Sequence, residues 1–393
     1  MSKLQFEVEK QHWHARAWTI TLNGIKFQTP VFMPVWTKAT IKWLILDMLR
    51  DPHYLWDVPA IQMILANTYH LYLRPGSDII KDAWWIHTFE NRPWLILTDS
   101  GWFQAFSLGW GKKTKTWESL AKNTREWVHF RSIHDWSKHM FTPTWTVDIQ
   151  CDIGSDIMMM LDVCSAPWIS QKKFAQDMRL THTRAKEQYE YHQSKYDSVR
   201  WCLFPIVQWW LYEDLRQESI DTLSNYAHDG IAVWWVSVWE SWEDIKRVTA
   251  FCWPKLPHNK PRYLMWIWNP AGIRYAIQQG FDMFDCVLPT RLWRHWVYFC
   301  WDDLDPNDIF WEHIDKNNSQ HNEQKRIWLS ENKHKHERLT RDCQCYTCRT
   351  YTKAYLHHLH KEKEMLAWTL LSLHNIVYLH NIVTNIRKHI VNM

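Results

Sequence analysis

The sequence of 393 residues predicts an α/β fold, a (β/α)8 TIM-like barrel with a subdomain inserted toward its C-terminus. Eight short apolar runs recur along the chain, and helix-like stretches of mixed polarity, such as residues 172–191 and 241–251, separate most of them. Apolar strands that alternate with helices are typical of a parallel sheet covered on both faces. A doubly wound sheet would produce the same local pattern, and the count of eight favours the barrel.

Each apolar run ends at a polar or otherwise distinctive residue, and barrel active sites lie at the carboxyl ends of the strands. In chain order the runs are Val31-Phe32-Met33 before Pro34, Met63-Ile64-Leu65-Ala66 before Asn67, Leu95-Ile96-Leu97-Thr98 before Asp99, Ile157-Met158-Met159-Met160-Leu161 before Asp162, Phe204-Pro205-Ile206-Val207 before Gln208, Ile231-Ala232-Val233 before Trp234, Tyr263-Leu264 before Met265, and Met283-Phe284 before Asp285. The carboxylates and amides at these ends are therefore candidate site residues. For Asp285 taken alone, an ordinary aspartate that caps the following loop is the commoner explanation.

Three of the nine cysteines fall within six residues, as Cys343, Cys345 and Cys348 in a C-x-C-x2-C cluster. Zinc in proteins takes four tetrahedral thiolate or imidazole ligands, and closely spaced cysteines supply several at once. The pattern therefore predicts a zinc site whose fourth ligand comes from elsewhere. From the residues alone the choice stays open among five histidines, which are His357, His358, His360, His374 and His380.

The amino-acid composition changes after Trp301, and this change predicts the domain organisation. Residues 302–324 are rich in Asp, Asn, His and Gln, which favours an exposed inserted loop, and helical spacing of apolar residues returns after Thr350. We expect a barrel catalytic domain over residues 1–301, the polar loop over 302–324, and a zinc-binding subdomain over 325–380. A C-terminal helix over 381–393 would then pack on the barrel.

Composition restricts the class of protein and its partners. The odd number of cysteines, six of them scattered singly, is not a disulfide framework, and no apolar run approaches the length of a spanning helix. We therefore expect a cytoplasmic protein with no membrane partner. The net charge of +4 is concentrated in residues 325–364, which hold ten Lys/Arg and five Asp/Glu. This local excess favours a surface that faces a polyanion over an ordinary solvated surface.

Glycine and tryptophan usage is abnormal. The chain has 9 Gly and 31 Trp, and adjacent tryptophans occur at Trp84-Trp85, Trp209-Trp210 and Trp234-Trp235. Glycine tolerates left-handed backbone conformations that strain bulky residues. The exchange suggests an altered version of a more ordinary sequence.

Several ordered motifs resemble the queuine/archaeosine-type tRNA-guanine transglycosylases, in their bacterial form. These motifs are Asn67-Thr68-Tyr69-His70 with Leu73-Arg74-Pro75-Gly76, Leu97-Thr98-Asp99-Ser100-Gly101, Leu161-Asp162, Pro261-Arg262-Tyr263-Leu264-Met265, residues 281–291 around Asp285, and His374-Asn375-Ile376 after the cysteine cluster. The resemblance covers nearly the whole chain. It implies that His374 is the fourth ligand of a structural zinc and that Asp285 is more than a loop cap.

The resemblance also implies roles for the candidate residues in a base exchange at a tRNA guanosine. Asp285 would be the nucleophile and Asp99 the general acid and base, as in a covalent two-carboxylate strategy. The purine-like base would contact Asp162, Gln208, Asn67, Ser100, Phe103, Met265, Trp235 and Val236. Arg291 and Arg294 would contact tRNA phosphates, and a homodimer would be the expected assembly. Cys164 and Val238 favour a queuosine precursor as the incoming base.

Two alternatives to this enzymatic function stay open, an impaired tRNA-binding subunit and a metal-dependent hydrolase. Tryptophans replace glycines of the family's pocket at Trp102, Trp209, Trp234, Trp235 and Trp239, which favours a catalytically impaired tRNA-binding or partner subunit. The third, a metal-dependent hydrolase, is disfavoured because an all-Cys/His ligand set provides no open position on the metal.

Overall fold

A parallel β-sheet that curls into a nearly closed barrel forms the centre of the computed structural model. The structure describes residues 4–104, 121–124, 127–132, 134–165, 169–196, 200–208, 212–234, 242–267, 269–301 and 324–393. All eight apolar runs of the sequence form strands of this sheet, which confirms the predicted barrel. The strands are β4 (Val31–Trp36), β5 (Met63–Asn67), β6 (Leu95–Asp99), β10 (Ile157–Met159), β11 (Cys202–Phe204), β12 (Ile206–Val207), β13 (Ile231–Val233), β14 (Arg262–Leu264) and β15 (Met283–Cys286).

The sheet has nine strand segments because its fifth strand is interrupted at Pro205. Segment β11 pairs with β10 on one side, and β12 pairs with β13 on the other. Proline has no backbone N–H to donate, so it breaks a ladder of hydrogen bonds. Counted as one interrupted strand, β11 and β12 complete an eight-stranded barrel, and β15 pairs with β4 at the opposite side of the ring.

The register of neighbouring strands brings the polar strand ends together. Asn67 lies opposite Asp99 in the β5–β6 pair, and Asp285 lies opposite Met33 in the β15–β4 pair. Because all these pairs are parallel, their carboxyl ends share one rim of the barrel. The candidate site lies on this rim.

Helices surround the barrel, and side-chain caps fix several of their starts. Thr142, Ser170 and Asn269 each accept a hydrogen bond from a backbone N–H of the first helical turn. The α-helices are α1 (Pro52–Leu55), α2 (Thr68–Leu73), α3 (Ser77–Asp82), α4 (Trp85–Phe89), α5 (Pro143–Ile153), α6 (Gln171–Lys195), α7 (Glu213–Leu223), α8 (Trp242–Cys252), α9 (Pro270–Gln278), α10 (Leu288–Leu292), α11 (Tyr346–Thr350), α12 (Lys353–Lys361) and α13 (Met365–Asn392). Among the described residues no helix is both long and apolar enough to cross a lipid bilayer.

The described residues also form three small antiparallel sheets. Their strands are β1 (Gln5–His12), β2 (Ala15–Leu22) and β3 (Ile25–Thr29); β7 (Ala121–Asn123), β8 (Val128–Arg131) and β9 (Lys138–Phe141); and β16 (Val297–Phe299) with β17 (Gln324–Arg326). The first sheet packs against the C-terminal helix α13, where the Arg387 guanidinium donates to the Trp18 carbonyl at 3.0 Å.

Helix α13 is largely buried and packs against strands β2, β4 and β16. It contains His374 and continues to Asn392, so the expected boundary between residues 380 and 381 falls inside it. The inserted loop expected at residues 302–324 lies outside the described residues except for Gln324, which begins β17. The division into domains stays a prediction.

Candidate active site and metal centre

The Asp285 side chain is buried at the rim of the barrel, with one oxygen bound and one free. Its Oδ1 accepts hydrogen bonds from the Tyr263 hydroxyl at 2.6 Å and from the Trp266 backbone N–H at 2.8 Å. Its Oδ2 has no hydrogen-bond donor among the described residues. Burial raises the pKa of Asp285 to about 6, although both donors lower it. The carboxylate is thus held firmly through Oδ1, while its Oδ2 is buried and has no partner in the described part of the chain.

A second aspartate on the same segment provides a contrast. Asp282 is also buried, but it forms an ion pair with the Arg16 guanidinium and accepts the Arg262 backbone N–H at 2.8 Å. Asp285 forms no ion pair with any described residue. Asp282 therefore has the environment of a structural residue, whereas a buried carboxylate without a cation is typical of a functional one.

Asp99 ends strand β6 and is held by donors from the neighbouring strand β5 and its helix. Its Oδ2 accepts from the Asn67 side-chain amide at 2.6 Å, and its Oδ1 accepts from the backbone N–H groups of Thr68 and Gly101, each at 3.1 Å. Burial, with a smaller contribution from the nearby charges of Asp285 and Asp162, raises the pKa of Asp99 to about 7, against the two backbone donors that lower it. A carboxyl group that titrates near neutral pH is suited to both giving and taking a proton.

Asp162 is the third buried carboxylate of the rim. Its Oδ1 accepts from the Ser100 hydroxyl at 3.3 Å, and its Oδ2 has no donor among the described residues. Burial raises its pKa to about 7, whereas the Ser100 hydrogen bond and the Arg184 charge lower it. The Arg184 guanidinium contacts the Asp162 backbone carbonyl at 3.2 Å, which anchors the end of the strand.

A small cavity lies beside Asp99 and Asp162, and Asp285 is not among the residues that line it. Its lining includes the predicted Asp99, Ser100, Phe103, Asp162 and Met265, together with Gly101, Gln104, Ile206, Trp234 and Trp266. Its volume is about 20 Å³, enough for about one water molecule, whereas small-molecule pockets usually have about 300–1,000 Å³.

Aromatic side chains occupy the space beside the cavity. The Phe103 ring lies edge-on to the indole of Trp266, with centroids 4.4 Å apart, and to that of Trp234, at 5.4 Å. Trp102 is buried next to Phe103 in the chain but does not line the cavity. Among the described residues, Trp234 and Trp266 are therefore the tryptophans that fill the pocket.

The remaining predicted base contacts are placed differently. Asn67 lies behind Asp99, and its carbonyl oxygen also caps helix α2 through the His70 N–H at 3.0 Å. Gln208 follows β12 and is buried, with no hydrogen-bond partner for its Nε2 among the described residues. Trp235 and Val236 lie outside the described residues, so their predicted contacts stay untested.

Sequence reasoning missed the two groups that hold Asp285. Tyr263 lies on β14, the strand next to β15, and its pairing with Met283 places it close to the site. Its position inside an apolar run, within one of the motifs that carry the family resemblance, was the available signal. The backbone N–H of Trp266 left no signal in the side-chain pattern.

A group of cations borders a second cavity, of about 190 Å³, directly after β15. Its lining includes Arg291 and Arg294 together with Lys42, and Lys38 lies near Lys42. Partial burial lowers the pKa of Lys42, and the charges of Arg294 and Lys38 lower it further. All four side chains are exposed, and none forms an ion pair with a described residue. Clustered cations without acidic partners favour an anion at this place.

The predicted metal ligands converge in the interior beside helix α13. The thiol sulfurs of Cys343, Cys345 and Cys348 lie 3.8, 3.5 and 3.4 Å from Nδ1 of His374, and all four groups are buried. A tetrahedral zinc would separate sulfur and nitrogen ligands by about 3.6 Å. The other ring nitrogen of His374, Nε2, lies 2.8 Å from the Phe299 carbonyl and donates to it, which directs Nδ1 at the sulfurs. The four residues could hold a metal ion, and the donor set fits zinc.

Comparison with known proteins identifies the family. A family described as Queuine tRNA-ribosyltransferase matches residues 11–392. The chain is 37% identical over 389 residues to the Queuine tRNA-ribosyltransferase of Fusobacterium nucleatum, with 98% of this chain and 93% of that protein covered. Identity is 37% to the protein of that name from Acinetobacter baylyi, with 98% and 90% covered, and 38% to that from Acinetobacter baumannii, with 99% and 93% covered. The chain therefore belongs to the queuine tRNA-ribosyltransferase family.

Proposed function

We propose that this protein is a tRNA-guanine transglycosylase that exchanges a guanine in tRNA for a queuosine precursor base through a covalent aspartyl–ribose intermediate. The observation that carries the proposal is Asp285, a buried carboxylate with one anchored and one free oxygen, close to a second carboxyl group whose pKa is about 7. Family membership supports tRNA as the substrate.

In the first step Asp285 Oδ2 attacks the anomeric carbon of the ribose, and the bond from that carbon to the guanine nitrogen breaks. Asp99 donates its proton to the departing guanine, which leaves as the neutral base. The hydrogen bonds from Tyr263 and Trp266 to Oδ1 keep the nucleophile oriented, so little rotational freedom is lost when the bond forms.

In the second step the proton returns. Asp99, now a carboxylate, takes a proton from the incoming base, whose ring nitrogen attacks the same ribose carbon and releases Asp285. The Asn67 amide and the N–H groups of Thr68 and Gly101 stabilise Asp99 in this charged form. Each of the two steps inverts the carbon, so the overall exchange retains configuration.

Base recognition would use the polar groups behind the cavity. The free Oδ2 of Asp162 and the Gln208 amide can bond to the polar edge of a purine, with Ser100 holding Asp162 in place and Phe103 and Met265 stacking on the base. Trp235, Val236 and Val238 stay candidates on sequence grounds, and Val238 with Cys164 favours the precursor base. The target nucleotide must turn out of its strand to reach these groups.

The tRNA backbone would lie on the cations that follow Asp285. Lys42, Arg291 and Arg294 border one cavity, so a phosphate bound there would lie next to the reacting nucleotide. The basic segment 325–364 is a second candidate surface, but Lys335 and Lys353 there form ion pairs with Glu331 and Glu337 at 3.0 and 2.7 Å. Lys42, Arg291 and Arg294 are therefore the better candidates for binding the tRNA phosphates.

The metal would be structural. Three cysteines and one histidine would complete a tetrahedral zinc and leave no position for substrate. A homodimer is part of the proposal, and light scattering of the purified protein tests it.

The direct experiment is to incubate the protein with radiolabelled guanine and unmodified tRNA and to measure incorporation. The parent should incorporate label and form a protein–RNA adduct that survives denaturant, and Asp285→Ala should do neither. An adduct in the Asp285→Ala variant would exclude Asp285 as the nucleophile.

The narrow cavity favours a second candidate, a tRNA-binding subunit with impaired catalysis. Its volume of about 20 Å³ lies far below that of a pocket for a base, and Trp234 and Trp266 line it. Tight tRNA binding without guanine incorporation at matched folded concentration would support this candidate. Repeated turnover, with several guanines incorporated per protein molecule, would exclude the impaired-subunit candidate.

A further inference from the structure

Tryptophans occupy an unusual backbone conformation in this structure. Among the described residues, eight of the non-glycine residues with positive φ are tryptophans, with φ between 54° and 71°. They are Trp13, Trp43, Trp56, Trp84, Trp85, Trp136, Trp266 and Trp296. The left-handed region is unfavourable for a residue with a Cβ, and glycine adopts it without that penalty. Five glycines of the chain have positive φ as well, so the two residue types share one backbone role.

Packing does not explain why an indole stands at these positions. The side chains of Trp13 and Trp84 are 75% and 76% exposed, and those of Trp56 and Trp136 are both 57% exposed. Burial of an aromatic ring can offset a strained backbone, but an exposed ring gains little from it. Trp13, Trp84 and Trp136 therefore have an unfavourable conformation with little burial to balance it, and Trp56 has a contact with the Arg349 guanidinium, which lies 4.5 Å from the centre of its ring.

Buried tryptophans have a different difficulty. The indole N–H groups of Trp18, Trp36, Trp94, Trp242 and Trp293 are buried without a hydrogen-bond acceptor among the described residues. Buried indoles usually have a partner because an unmet donor is costly. The surroundings of these side chains are therefore not arranged for an indole.

Composition connects these observations. A chain of this length usually has about 28 glycines, since glycine is about 7% of residues, whereas this one has 9. The 31 tryptophans exceed the shortfall of about 19 that follows from that average. A single systematic exchange of glycine for tryptophan would account for both numbers, for the left-handed tryptophans and for the filled cavity.

We infer that glycine is the residue that the producing cell incorporates at the eight left-handed tryptophan positions, through one codon with two meanings. The codon UGA differs from the tryptophan codon UGG only in its third base, and different genetic codes read it as stop, tryptophan or glycine. The inference rests on backbone geometry and composition and does not depend on the proposed function.

The gene and the native protein test this inference together. All eight positions should be encoded by UGA, and peptides of the protein purified from its own cells should carry the mass of glycine there. UGG codons at these positions, or native peptides with the mass of tryptophan, would overturn the inference.

A stability comparison on the tryptophan-containing chain tests the backbone argument separately. Trp84→Gly and Trp84→Ala both remove the exposed indole, so they differ in backbone preference. The glycine variant should be more stable by a factor of about 5–30 in the unfolding equilibrium constant. Trp145, 40% exposed in helix α5 and without positive φ, is the matched control. There alanine should be the more stable residue. The same order at both positions would refute the backbone argument.

Discussion

Replacing Asp285 by asparagine should make the protein inactive and, above about pH 4, increasingly more stable than the parent. The substitution keeps an oxygen that can accept from Tyr263 and from the Trp266 N–H, and it places the new amide group where Oδ2 now has no donor. It removes only the buried charge. Guanine incorporation and the covalent adduct should both disappear, because the amide is not a nucleophile.

The stability gain follows from the pKa of Asp285. Burial raises this pKa from its ordinary 3.8 to about 6, and each pKa unit corresponds to about 1.4 kcal/mol, which makes about 3 kcal/mol in all. Between these two values the folded protein holds a proton that the unfolded chain has lost, so the free energy of unfolding falls as the pH rises. Asparagine does not titrate. The variant should therefore gain about 1.5 kcal/mol at pH 5 and about 3 kcal/mol at pH 7.5 relative to the parent.

Urea unfolding of both proteins at several pH values between 5 and 7.5 measures this difference. Asp285→Ala is the control, because it removes the charge but leaves the Tyr263 hydroxyl and the Trp266 N–H without an acceptor, at a cost of about 1–3 kcal/mol each. Alanine should therefore be less stable than asparagine at every pH. A gain for asparagine that does not grow with pH would refute the assignment of a charged, desolvated Asp285.

Three further predictions concern the metal, the tRNA and the pocket. The purified protein should contain one zinc per chain, and chelation should lower its melting temperature; full zinc occupancy in a Cys345→Ser variant would contradict the ligand assignment. Replacing Lys42 and Arg294 by alanine should lower the slope of log Kd against log salt by roughly 1–2 for tRNA, since fewer counterions are released; an unchanged slope would place the tRNA elsewhere. Trp234→Gly combined with Trp266→Gly should raise guanine incorporation by opening the cavity, and equal rates in parent and variant would show that these indoles do not limit access to the site.

The strands were predictable because buried parallel strands leave short, continuous apolar runs, and a polar or otherwise distinctive residue marks where each run reaches the rim. The interruption of the fifth strand was visible as Pro205, yet its consequence for pairing needed the structure. The carboxylates were predictable as strand ends, but their hydrogen bonds were not. A backbone N–H such as that of Trp266 has no signature in a sequence. In the structure, Trp266 has a left-handed φ of 58° and its N–H contacts Asp285.

Contacts between residues far apart in the chain set the remaining limit on what the sequence can predict about the site. Spacing predicted the cysteine cluster, but five histidines were equal candidates until family resemblance and then geometry selected His374. Lys42 joins Arg291 and Arg294 although about 250 residues separate them in the chain, and no local pattern reports such a meeting.

Asn375, next to the predicted metal ligand His374, connects the candidate metal site to the segment that follows Asp285, the proposed nucleophile. Asn375 accepts the Phe299 N–H at 3.0 Å and donates to the Pro289 carbonyl at 3.3 Å, four residues beyond Asp285. His374 and Asn375 therefore fasten β16 and the segment after Asp285 to one helical turn. Two ligands that favour the same arrangement must strengthen each other equally. A tRNA bound at that segment should then raise the affinity for zinc, and zinc should raise the affinity for tRNA by the same factor.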